Sequence, residues 1–153
     1  MIMSRQKIWK NFVLVIVFFT IGFFLINRPS ENLKPTEIKY IKIAGTSIKF
    51  DLASTPLTQA QGLSGRIKMG EGEGMLFIFE KPGKYYFWMK YMNFPIDMIW
   101  IGEDMRVIYI KKNAQPESFP KTYGPDIDSK YVLEVVAGFS EKNNLKEGDR
   151  AEF

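Results

Sequence analysis

Two carboxylates stand where carboxylates are expensive. In Ile96-Asp97-Met98-Ile99-Trp100-Ile101 the acid shares one side of a strand with Ile99 and Ile101, and in Tyr131-Val132-Leu133-Glu134-Val135-Val136 it shares one side with Val132 and Val136. An ionised, unpaired carboxylate in such a place needs a cation, several hydrogen bonds or the mouth of a pocket. Two acids can also do chemistry together, as acid and base in a glycosidase-like hydrolysis, provided their carboxyl groups lie roughly 5 to 10 Å apart in a cleft. Asp97 and Glu134 are therefore the candidate catalytic residues. Arg66, Trp88, Asn93 and Asp97 are the candidate ligand-binding residues.

Other chemistry is excluded by composition. The 153 residues contain no cysteine and no histidine, so there is no Cys-His or Ser-His-Asp catalysis, no thiolate or imidazole metal site and no disulfide framework. The methionines Met69, Met75, Met89, Met92, Met98 and Met105 could in principle offer thioethers to Cu(I). Met89 and Met92 have opposite parity on a strand, however, and methionine is an ordinary core filler. No metal and no cofactor is expected. Gly62, Gly65, Gly70, Gly72 and Gly74 lack the spacing and the strand-to-helix setting of a phosphate cradle and read as turn residues.

The aromatic run around Tyr85-Tyr86-Phe87-Trp88, with Tyr91, Phe94 and Trp100, could stack on a sugar or peptide. Alternation sends Tyr86 and Trp88 to one side and Tyr85 and Phe87 to the other, so about half of the rings belong to a core. Arg66 could anchor a ligand carboxylate or tie down an internal acid, and the second is the commoner use.

The elements that must position these groups are mostly strands. Ile38 to Ile43 and Ile48 to Leu52 alternate around Ala44-Gly45, a hairpin pattern, and Thr55-Pro56 opens a short helix that Gly62 ends. Met75–Phe79, Tyr85–Met89, Ile96–Ile101, Arg106–Ile110 and Tyr131–Val136 are strand-length apolar runs separated by turn residues, and MLFIF and IDMIWI, apolar on both faces, should be central. Lys111 to Ser129 reads as a long polar loop. The expected fold is mainly β (α+β): a small, mostly antiparallel, barrel-like or sandwich-like sheet with one or two short helices.

One N-terminal transmembrane helix precedes it. Ile8 to Ile26 makes an apolar stretch of roughly 28 Å at about 1.5 Å per residue, with Trp9 and Lys10 at its interface. Arg5, Lys7 and Lys10 before the stretch, against Arg28 alone close behind it, hold the N-terminus in the cytoplasm and put the domain outside. A cleaved signal peptide is the rival reading. The first alanine is Ala44, so small residues are missing where a cleavage site needs them, which favours an uncleaved, single-pass signal-anchor. Residues 1–27 are thus a cytoplasmic N-terminus and anchor, 28–37 a tether, and 38–153 an extracytoplasmic β-rich domain. From residue 35 onward 16 basic face 16 acidic side chains. A neutral domain lacks the basic face that a nucleic-acid partner requires.

The order GLSGR (62–66), EGMLFIF (73–79), FWMK (87–90), PIDMIWI (95–101), YVLEVVAG (131–138) and Gly148-Asp149 resembles the uncharacterised family catalogued as domain of unknown function 192. The resemblance implies an architecture, and a signal or anchor segment of the kind family members often carry, but no reaction. Ser64 and Tyr91-Met92 stand where relatives usually have Met and Asn-Thr. Two functions follow as expectations: a membrane-tethered extracytoplasmic binding or structural module for a small-molecule, sugar or peptide ligand, or the carboxylate-dependent hydrolase using Asp97 and Glu134.

Overall fold

The structure, a computed structural model, describes residues 40–153. Residues 1–37, read from the sequence as an anchor and tether, lie outside the described residues, as do residues 38 and 39. Among the described residues no helix is long and apolar enough to cross a membrane.

Strand β1 (Tyr40–Ile43) turns back into β2 (Thr46–Ala53), with Ile43 opposite Thr46. The two-residue turn places Ala44 at φ 49° and Gly45 at φ 75°. Both values are positive, as a turn matched to the twist of a hairpin requires. Helix α1 (Pro56–Gln61) begins as the Thr55-Pro56 pair predicts: Thr55 Oγ1 accepts from the Thr58 amide at 3.2 Å, while Thr58 Oγ1 accepts from the Thr55 amide at 3.0 Å.

Residues 54–72 form a connection long enough to carry the chain back across the sheet, so β3 (Glu73–Gly83) pairs parallel to β2. Every other neighbouring pair in the seven-stranded sheet is antiparallel. Its remaining strands are β5 (Ile96–Ile101), β6 (Val107–Ala114), β8 (Ser129–Val136) and β9 (Ala151–Glu152), in the order β6-β5-β8-β3-β2-β1-β9. The doubly apolar runs MLFIF and IDMIWI flank the central β8, as their composition required.

Two expectations need correction. Of Tyr85–Met89 only Phe87–Trp88 (β4) is strand, and it pairs with Thr122–Tyr123 (β7) in a separate ribbon. Its aromatics pack onto the main sheet: Phe87 meets Phe77 at 4.8 Å and Trp100 at 5.8 Å between ring centroids, and Trp100 Nε1 donates to the Tyr85 carbonyl at 2.8 Å. The polar segment after Lys111 is also shorter than read, because β6 runs on to Ala114 with its lysines on an edge strand.

The sheet is a curled half-barrel. Ile41, Ile48, Leu76, Ile99, Val107 and Ala151 come from strands across its whole width yet share one core, which a flat sheet could not achieve. At one end the outermost strands meet, through Val107 N to Asp149 O and Ala151 N to Met105 O, both 2.8 Å. Helix α2 (Phe139–Lys142) contributes Phe139 to this inner core. The outer face carries a second core of Met75, Phe77, Met98, Trp100 and Val132, covered by Leu63, Met69 and Met89 from the connections.

Gly74 sits between β2 and β8 where a Cβ would lie 2.8 Å from the Glu134 carbonyl oxygen and 3.1 Å from Ile48 Cγ2. Since the β8 backbone must move and the Ile48 side chain give way to admit a methyl group, Gly74→Ala should cost about 2 kcal/mol or more in a urea titration. A midpoint equal to that of the native chain would contradict this packing.

Candidate functional site

The strand register decides what the two acids can do. Asp97 lies opposite Val135, whereas Glu134 lies opposite Met98, so on adjacent strands the carboxylates project to opposite faces of the sheet. They do not converge on one cleft. The expectation of an acid–base pair loses its geometry for this reason.

Asp97 is completely buried, on the inner face. Its Oδ1 accepts from Asn113 N at 2.8 Å and Gly138 N at 3.3 Å, and its Oδ2 accepts from Ser140 N at 2.8 Å. Of the three ways to keep a carboxylate among aliphatics, hydrogen bonding is the one used. The side chain pins the end of β6 and the entry to α2 onto β5. Its contacts engage both oxygens as a backbone clamp, and the residue also lines a separate cavity of about 280 Å³ with Lys112, Asn113, Gly138 and Glu141.

Glu134 has the opposite character. Across the outer face runs the row Asp51, Met75, Glu134, Met98, Lys111, each residue opposite the next on the neighbouring strand. Two apolar thioethers thus flank the carboxyl. Glu134 is 4% exposed, and its Oε2 has no hydrogen-bond partner among the described residues. Burial pushes its carboxyl up to about 8, with the Arg66 charge pulling the other way. Arg66 is expected from the sequence to satisfy Asp97 or Glu134. Instead its guanidinium pairs with Asp51 at 2.6 Å, on the far side of Met75 from Glu134.

Glu134 lies in the lining of a cleft of about 290 Å³. One wall is the end of α1 and the turn after it, Gln59 to Ser64, and the other is Tyr85, Tyr86, Phe87 and Trp88, with Phe77, Phe79 and Met92 between them. Phe79 and Tyr85 are stacked, with centroids 3.5 Å apart, and Trp88 meets Phe119 edge-on at 5.8 Å. The alternation read from the sequence holds: Phe87 is packed inward, while Tyr86 and Trp88 are half exposed, at 50% and 51%.

Asn93 does not face the cleft. Its Nδ2 donates to the Arg66 carbonyl at 2.8 Å, Ser64 Oγ donates to the Lys90 carbonyl at 3.0 Å, and Gly65 N donates to the Tyr91 carbonyl at 2.9 Å. These bonds staple the turn after α1 to the turn after β4 and fix the cleft's width. The positions at which this sequence departs from the family pattern, Ser64 and Tyr91-Met92, therefore meet at the rim.

Of the five candidates, the structure brings Trp88 and Glu134 into one cleft, places Arg66 and Asn93 in its support, and puts Asp97 on the other face. The sequence reading missed Phe79 and the α1 residues as walls, and Met75 and Met98 as the neighbours of Glu134. Alternation could have assigned their faces, but only the register sets them side by side.

A curled β half-barrel with an aromatic cleft on its outer face is the class of domain this geometry defines. The family model for domain of unknown function 192, described as uncharacterized ACR, matches residues 39–153, and the chain belongs to that family. The chain is similar to a crystal structure of a protein of unknown function from Novosphingobium aromaticivorans DSM 12444, with 31% identity and a TM-score of 0.71 over 74% of this chain and 84% of that one. It is also similar to a Sinorhizobium meliloti 1021 protein provisionally described as a transcription regulator, with 31% identity and a TM-score of 0.70 over 74% of this chain and 91% of that one. No curated protein matches the chain.

Proposed function

We propose that this protein is a membrane-tethered, extracytoplasmic module that binds a small molecule in the cleft between α1 and the Tyr85–Trp88 segment. The observation that carries the reading is the unpartnered, buried carboxyl oxygen of Glu134 among aromatic walls. Buried polar atoms are nearly always satisfied, and an orphan in a cleft is a place for a ligand to supply the missing bond. A mostly apolar cleft with a few aimed polar groups is the usual form of a small-molecule site. The hydrolase reading lacks a second carboxylate on the same face. Among the lining residues Glu134 is the sole acid. The balanced charge from residue 35 onward argues against the nucleic-acid role that the description of the Sinorhizobium meliloti protein suggests for that protein.

The tether rests on the apolar stretch from Ile8 to Ile26 and its basic N-terminal flank. Full-length protein should stay with the membrane through carbonate washing, its domain open to protease from outside. A soluble mature form beginning near Asn27 would overturn the anchor. For the cleft, a thermal-shift screen of small molecules on the detergent-solubilised full chain should give hits whose stabilisation disappears in Trp88→Ala. Hits that survive that substitution, or that bind elsewhere in a co-crystal, would overturn the cleft as the site.

A further inference from the structure

We infer that the cleft selects a compact organic cation, a primary to quaternary ammonium group on an apolar body, with the nitrogen held at Glu134. This rests on the cleft being the ligand site and adds the class of ligand.

The groups that the cleft leaves free set the class of ligand it can hold. Four of its side-chain donors are already engaged: Gln59 Nε2 donates to the Ile78 carbonyl at 2.8 Å, Ser64 Oγ to the Lys90 carbonyl at 3.0 Å, Tyr85 Oη to the Lys81 carbonyl at 2.7 Å and Tyr86 Oη to Asp126 Oδ1 at 2.9 Å. Apart from the exposed Gln61, what remains for a ligand among the described side chains is the Glu134 carboxyl, the Trp88 indole N–H, the Gln59 amide oxygen and several ring faces. A sugar or a peptide needs a large set of directed hydrogen bonds to offset desolvation of its own polar groups, and the few free groups of this lining are a poor match for it. An ammonium needs the reverse, a negative group and aromatic faces whose quadrupoles attract positive charge.

No nearby cation is hydrogen-bonded to Glu134 Oε2 among the described residues, although the Arg66 charge reaches it. Arg66 is committed to Asp51 at 2.6 Å, and Lys111, at the end of the same row, lies over the Tyr123 ring at 4.9 Å. The thioethers of Met75 and Met98 on either side carry no charge. The rim already shows the favoured contact, since Lys90 Nζ lies 5.5 Å from the centre of the Trp88 ring and 5.1 Å from that of Tyr91.

The test is isothermal titration of the detergent-solubilised full chain at pH 7 with benzylammonium, benzyltrimethylammonium and the neutral isostere benzyl alcohol. At least a tenfold preference for the cations is expected over the alcohol. Glu134→Gln, which keeps shape, should bring that preference within about twofold. Because the buried carboxyl holds its proton until a cation displaces it, binding of benzyltrimethylammonium should release a proton, read as an enthalpy that differs between phosphate and Tris buffers and loses that difference in Glu134→Gln. Trp88→Ala, at a half-exposed position, should weaken both cations while leaving the fold intact. Equal affinity for benzyl alcohol and the cations would overturn the cation class and leave the cleft standing as a site. Absence of binding by all three probes would overturn the inference as well, and the broader thermal-shift screen then decides whether the cleft takes another ligand.

Discussion

Asp97→Ala should be the most destabilising single substitution among the candidate residues, lowering the unfolding free energy by about 4 kcal/mol. The carboxylate accepts from three backbone amides, those of Asn113, Gly138 and Ser140. Each buried donor left without an acceptor costs about 1–3 kcal/mol. The three come from β6 and the start of α2, so their loss also releases the packing of Phe139 on the inner core. Asp97→Asn keeps one oxygen for the Asn113 and Gly138 amides but turns an NH₂ group toward the Ser140 amide, donor against donor, and should cost about 2 kcal/mol. Urea titrations of native, Asn and Ala proteins give this order directly. An Ala variant as stable as the native chain would mean that the clamp is not what holds these segments, and a folded variant that has lost ligand binding would return Asp97 to the site. Since a small domain has only about 5–15 kcal/mol in total, the Ala variant should be marginal at 37 °C.

Stability should fall as pH rises from about 5 to about 8, and Glu134→Gln should remove that fall. Burial raises the Glu134 carboxyl from 4.5 to about 8 in the folded protein. Between those values the unfolded chain has lost the proton that the folded chain keeps, so the folded state binds more protons and each step up in pH favours unfolding. The contribution is fully present below about 4.5 and is lost by about 8, after which both states are ionised. At about 1.36 kcal/mol per pH unit the difference is on the order of 3–5 kcal/mol. Glutamine mimics the neutral carboxyl, so the variant should match the native protein within about 1 kcal/mol at pH 5 and exceed it by several at pH 8.5. The native-minus-variant difference isolates this group from the exposed Glu71, whose carboxyl Lys142 holds below its ordinary value. A difference that stays flat across this range would mean that water, or a cation, already reaches Glu134 in the free protein. A bound ammonium should flatten the native trend, because in the complex the carboxylate is ionised, as it is in the unfolded chain above about 4.5.

Much of the fold was legible in local chemistry. The Ala44-Gly45 hairpin, the Thr55-Pro56 start of α1, the inward and outward sides of Tyr85–Trp88 and the central position of the doubly apolar strands all follow from turn geometry, capping and period-two alternation. Each is set within a few residues, so sequence neighbours suffice. The ordered motifs from GLSGR to the terminal Gly148-Asp149 identified the family for the same reason. The β4–β7 ribbon was not legible: Phe87 and Trp88 suit a strand wherever it lies, and only the aromatic packing on Phe77 and Trp100 takes them off the main sheet.

The sequence by itself determined that Asp97 and Glu134 are costly carboxylates on apolar strands, that no thiol or imidazole chemistry accompanies them, and that an apolar, positively flanked segment precedes the domain. Their separate fates were decided by the tertiary structure. A shift of one residue in the pairing of β5 with β8 would bring both acids to one face, and no local signal sets that register, which depends on how two opposed cores fill at once. The same long-range packing sends Arg66 to Asp51, closes Asp97 under three amides and leaves the Glu134 oxygen unpartnered in a cleft whose walls come from α1 and the β4 segment. Charge and hydrophobicity are properties of a residue, but satisfaction of a buried polar atom belongs to the contacts it meets, and those exist only once distant strands are paired.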